Sequence, residues 1–149
     1  MNETLLILHI LSAAAWIGAG FYNAFLGPRI GGAGGDASLA WAKALGDAAV
    51  KYFMPVGILT LLTGVSLVLV NDAYGWGDLF VNIGLVVVIA GALIGALGLG
   101  PSAKAAVAAI EAGDFPAAAA AGRKGAAWGR VIVVLLIVAL VVMVLRTGT

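Results

Sequence analysis

A chain of 149 residues that is 63% hydrophobic and 10% charged, with a mean hydropathy of +1.14, is too apolar for a water-soluble domain of its size. It contains no cysteine, which excludes disulfides, thiolate metal sites and cysteine nucleophiles. A net charge of +1 without a basic patch interleaved with aromatics gives no footing for nucleic acid as a partner, and the partner that this composition names is a lipid bilayer.

Four stretches approach the ~20 apolar residues that a helix needs to cross ~30 Å of hydrocarbon. The first, Thr4–Leu26, is preceded only by the charge of Glu3, and its Ala13 and Ala15 fall mid-run, so it reads as a mature span rather than a secretory leader. Along it His9, Ser12, Ala13, Trp16, Gly20 and Asn23 recur at three- and four-residue steps and form one face, which should turn inward. Gly27-Pro28 is expected to stop this helix. After the breaker Gly31–Gly35, Asp36–Lys51 places Leu39, Ala42 and Leu45 on one face of a short amphipathic connector.

The second span, Tyr52–Val70, offers Thr60, Thr63 and Ser66, hydroxyls that can bond their own backbone. A turn, Asn71–Asp78, leads to the third span, Leu79–Gly100, with Asn82 near its start and Gly84, Gly91, Gly95 and Gly98 along it. Gly91 and Gly95 form a Gly-x-x-x-Gly pair that should bring a neighbouring helix close. Pro101–Ala112 reads as a second connector, ended by Gly113-Asp114-Phe115-Pro116, and the aliphatic fourth span, Trp128–Leu145, as a lipid-facing helix.

Shifting the chain by 73 residues brings Leu26-Gly27-Pro28 onto Leu99-Gly100-Pro101, Gly18-Ala19 onto Gly91-Ala92, and His9 onto Asn82. The fold class expected is therefore all-α: a polytopic membrane four-helix bundle, a duplicated helix hairpin with short amphipathic connectors, in a single domain spanning 1–149. A rise of ~1.5 Å per residue puts His9 some 7–8 Å below one membrane boundary. Asn82, Ser66 and Met143 are expected at similar depth, forming a polar layer there.

Leu8-His9, Trp16-Ile17-Gly18 and Phe21-Tyr22 together resemble the first helix of a loose group of bacterial membrane proteins. The group includes the CopD-type copper-resistance domain, the HemJ-type protoporphyrinogen oxidase and the membrane domain of bacterial urate oxidase. For the haem-linked members the resemblance implies an axial histidine for haem b, carried over to His9, in a bacterial inner membrane. The second axial position would fall to Met143, to His9 of a neighbouring subunit, or to none, with Trp16 as a cofactor wall or a packing residue. Three further readings stand beside haem: His9 as a copper or other metal ligand; His9 as a neutral ring bonded to Asn82 or Ser66 in a cofactor-free accessory subunit of a larger membrane complex or homo-oligomer; and, more weakly, a transporter.

Seven of the eight basic residues (Arg29, Lys43, Lys51, Lys104, Arg123, Lys124 and Arg130) lie on one side of this four-span reading, and only Arg146 lies on the other. The positive-inside rule then puts the two longer connections in the cytoplasm and both termini outside, with Tyr74 and Trp76 in one interfacial belt and Tyr52 and Trp128 in the other. Reporter fusions after Thr149 and within 72–77 should both report an external location. A cytoplasmic signal at either position would refute the orientation.

Overall fold

A computed structural model describes residues 2–145. Four long helices make up nearly all of it: α1 (Glu3–Gly31), α2 (Gly35–Val70), α3 (Leu79–Glu111) and α4 (Phe115–Leu145). Each contains a stretch apolar enough to cross a bilayer, and only 11% to 22% of those stretches is buried inside the bundle. Most side chains therefore face outward, the condition of helices solvated by lipid. The chain is an all-α integral membrane four-helix bundle. Arg146 lies outside the described residues.

The helices outrun the bilayer. Thirty-six residues of α2 extend ~54 Å at ~1.5 Å per residue, against ~30 Å of hydrocarbon. Of the two forms the connectors could take, separate surface helices or extensions of the spans, they take the second. Asp36–Ala48 is the first part of α2, Pro101–Glu111 is the last part of α3, and α4 begins at Phe115 rather than Trp128. Together they raise a helical head on the basic side of the membrane.

Proline explains how these long helices stay continuous. α1 runs through Pro28 to Gly31 instead of stopping at Gly27-Pro28, giving up one backbone hydrogen bond near its C-terminal end. In α2 and α3 the chain widens into a π turn, Ala49–Phe53 and Gly95–Leu99, two residues before Pro55 and Pro101. The N–H groups of Met54 and Gly100 reach five residues back, to the carbonyls of Ala49 and Gly95. A proline cannot donate to the carbonyl four residues before it and its ring crowds that carbonyl, so a wider turn absorbs the misfit without breaking the helix. Both π turns sit where the membrane bundle meets the head.

The turns are held by short polar side chains. The Ser38 hydroxyl donates to the Gly31 carbonyl at 2.9 Å and accepts from the Gly34 N–H at 2.9 Å, tying the end of α1 to the start of α2. Asp114 caps α4, its Oδ1 accepting from the Ala117 N–H at 3.0 Å. Gly34, Gly35 and Gly113 take the positive φ that these reversals need.

Around the bundle α1 packs on α2 and α4, and α3 packs on α4 and, chiefly in the head, on α2. The head is built of small buried residues, Ser38 and Ala42 of α2 against Ser102 and Ala106 of α3, with an ion pair at 2.8 Å between Lys43 and Glu111 across it. Within the membrane, large side chains fit glycines. Gly84 receives Met143, Gly91 receives Trp16 and Gly98 receives Trp128, so α3 presents a notch every seven residues. On α1, Gly20 receives Val133, while Gly27 and Gly31 lie under the Trp41 ring.

Positions related by the 73-residue shift stand in unlike surroundings. Gly91 lies under an indole and Gly18 faces open space; His9 is half-buried and Asn82 exposed. The expected contact through Gly95 is also absent among the described residues, none of which lies within 4 Å of a methyl group added there. The indole of α4 arrives at Gly98 instead. Gly91→Leu should therefore lower the melting temperature of the bundle in detergent by several degrees, because even its Cβ would stand 3.2 Å from the Trp16 ring. Gly95→Leu should leave melting unchanged; equal loss from both would show that the α3 notches are misassigned.

Candidate functional site

The polar side chains of the spans converge on the seam between α1 and α2. As the 3.6-residue pattern indicated, Ser12 and Trp16 are buried, and His9 and Gly20 sit on the same inward face. The helices run antiparallel, and residues seven apart on one meet residues seven apart on the other. Trp16 lies against Gly57, where an added Cβ would be 3.3 Å from the ring, and His9 lies against Gly64, where it would be 3.0 Å from Cε1 and 3.4 Å from Nδ1. One step further toward the head, the Tyr52 hydroxyl donates to the Ala15 carbonyl at 3.0 Å.

The missing Cβ at Gly64 lets the imidazole reach the backbone of α2. His9 Nδ1 is 3.1 Å from the Thr60 carbonyl oxygen and 3.1 Å from Thr63 Oγ1. A carbonyl only accepts, so Nδ1 carries the proton. Thr63 is free to accept in turn, because its own hydroxyl hydrogen goes to the Leu59 carbonyl at 2.7 Å. Thr60 Oγ1 likewise donates back to the Val56 carbonyl at 2.9 Å, and Ser12 Oγ to the His9 carbonyl at 2.9 Å. With Nδ1 protonated, Nε2 bears the lone pair, and it has no hydrogen-bond partner among the described residues.

The other residues expected at this depth do not meet His9. Asn82 is exposed at the start of α3, its amide donating to the Trp76 carbonyl at 2.9 Å and the Asp78 carbonyl at 3.1 Å. Its side chain serves its own turn and does not reach His9. Ser66 lies beyond Gly64 along α2 and is not a partner of the ring, while Met143 sets its methyl on Gly84 in the α3–α4 seam. The partners of His9 are therefore Thr60 and Thr63 rather than Asn82 or Ser66. What the sequence reading passed over is the glycine pair Gly57 and Gly64, whose spacing equals that of His9 and Trp16.

The centre of the bundle is filled. Trp16, 6% exposed, shares the core with Val87 of α3 and with Ile132, Leu136 and Ala139 of α4. A haem held within one bundle would have to displace this cluster, and Met143 is not directed to His9 as a second ligand. Among the described residues no three histidine, cysteine, aspartate or glutamate side chains gather to hold a metal ion. The residues present do not fit a two-ligand haem inside the bundle. Compared with known proteins, the chain matches no family model, no curated protein and no solved structure.

Proposed function

We propose that this chain is a cofactor-free accessory or structural subunit of a larger membrane assembly, placed in a bacterial inner membrane with both termini outside and the helical head in the cytoplasm. The observation that supports it most directly is the use made of His9. Its Nδ1 is held at 3.1 Å by both Thr60 and Thr63 in a notch at Gly64, so the ring acts as a clamp between α1 and α2. The hydroxyls around it are spent on backbone carbonyls, and the aromatic side chain beneath it is spent on the core. The parts left to act on other molecules are the lipid-facing helix surfaces and the head. Seven basic residues favour the cytoplasmic placement of that head.

A second reading is favoured by one feature of the clamp. A histidine that donates Nδ1–H to a backbone carbonyl presents Nε2 as metal-ligating histidines do. A single-ligand haem b, as the resemblance of the first helix implies, would attach there from outside the filled core.

The absorption spectrum of the purified protein separates the two. The clamp reading expects no Soret band, with or without added haem. It also expects His9→Leu to fold with a small loss of stability, about 0.6 kcal/mol and at most ~1.7 kcal/mol, the measured range for interhelical polar contacts in a membrane. A Soret band that disappears in His9→Leu would overturn it in favour of haem.

A further inference from the structure

We propose that the outer face of α4 binds one anionic phospholipid, its phosphate at Arg130 and an acyl chain along the groove that runs from Arg130 toward the bilayer centre. This is independent of the role of His9. Arg123, Ala127, Arg130 and Val134 follow one another at four, three and four residues and share one helix face. Ala127, Arg130, Val131, Val134 and Leu135 line a shallow apolar depression, and Leu135 also borders a second one between α3 and α4 that continues to Val138 and Val86. From Arg130 to Val138 is ~12 Å along the helix, close to half the ~30 Å of hydrocarbon. The groove thus has the reach of one leaflet.

Charge decides the occupant. Lys43 and Lys51 are paired, with Glu111 at 2.8 Å and Asp47 at 2.7 Å, whereas Arg130, like Lys104, Arg123 and Lys124, has neither an ion pair nor a hydrogen bond among the described residues, and of these four it alone lies within the apolar span that starts at Trp128. It is exposed, two residues or ~3 Å along the helix inside Trp128, which belongs to the interfacial belt on this side. A guanidinium at that depth needs a counter-charge, and a phosphate accepts its forked N–H groups. A second copy of the chain would not supply one. Its described carboxylates, Glu3, Asp36, Asp47, Asp72, Asp78, Glu111 and Asp114, all belong to the head, the turns or the far helix end. An anionic lipid brings both the phosphate and the chain that fits the groove.

The full chain is reconstituted in bilayers of equal phosphatidylglycerol and phosphatidylcholine, released into mild detergent, and the lipids that stay bound are weighed by native mass spectrometry. The expected result is retention of phosphatidylglycerol over phosphatidylcholine. Arg130→Gln should reduce that preference about fivefold, the effect of one basic residue at an anionic surface. Val134→Trp, at a position 59% exposed where the indole projects outward, should reduce retention of both lipids, and Lys51→Gln should change neither. No preference in the parent, an unchanged preference in Arg130→Gln, an equal loss in Lys51→Gln, or a lipid-free dimer would each overturn the proposal.

Discussion

An imidazole N–H placed in hydrocarbon must find an acceptor, because no water is there to supply one. In this protein the acceptor is a backbone carbonyl of the neighbouring helix, and the absence of a side chain at Gly64 gives the ring room to reach it. The contact fixes the rotation of α1 against α2 and their relative height. Once His9 is set over Gly64, the seven-residue spacing carries Trp16 to Gly57, and the indole then reaches across to Gly91 of α3. One register across three helices thus satisfies the hydrogen bond of the ring and both glycine contacts of the indole together.

Fitting large side chains into glycine notches answers a problem particular to membranes. Lipid chains are as apolar as leucine, so burying leucine does little to bring helices together, and close packing has to do it. Here the Trp128 indole, Val133 and Met143 enter places where a Cβ would collide, and the Trp16 indole and the His9 imidazole enter places where one would be crowded. Outside the bilayer the means change. The head packs alanine and serine side chains and adds an ion pair, Lys43 with Glu111, which water and counter-ions screen. The two π turns lie at the junction of these two regimes, each relieving a proline that would otherwise break a helix which must continue.

Much of this was legible in the sequence. Hydropathy and length gave the four crossings, and the 3.6-residue pattern gave the inward face of α1 with Ser12 and Trp16 on it. The partner of His9 was not legible, for a physical reason. Depth estimates rank residues by height but do not tell which helix stands beside which; the pairing of His9 with Ser66 rests on height, and that with Asn82 on the 73-residue shift. Asn82 has nearer acceptors in the carbonyls of its own turn, so its amide is spent there. The Gly-x-x-x-Gly pair misled for a similar cause: a glycine makes a contact only where a neighbour delivers a side chain, and Trp128 arrives at Gly98 rather than Gly95. Whether the connectors are separate helices or extensions of the spans stays open in the sequence, because proline and glycine read as stops, whereas a π turn lets a helix pass a proline.

The most direct test of the clamp uses the fact that the chain has a single histidine. With histidine alone labelled in nitrogen-15, solid-state NMR of the protein in bilayers reports the two ring nitrogens of His9 without overlap. The clamp requires a protonated Nδ1 that shows proximity to labelled Thr60 and Thr63, and an unprotonated Nε2. A ring protonated at Nε2 alone, or one protonated on both nitrogens and exchanging with water, would mean that His9 does not donate to α2 and that the register of the bundle is set by something else.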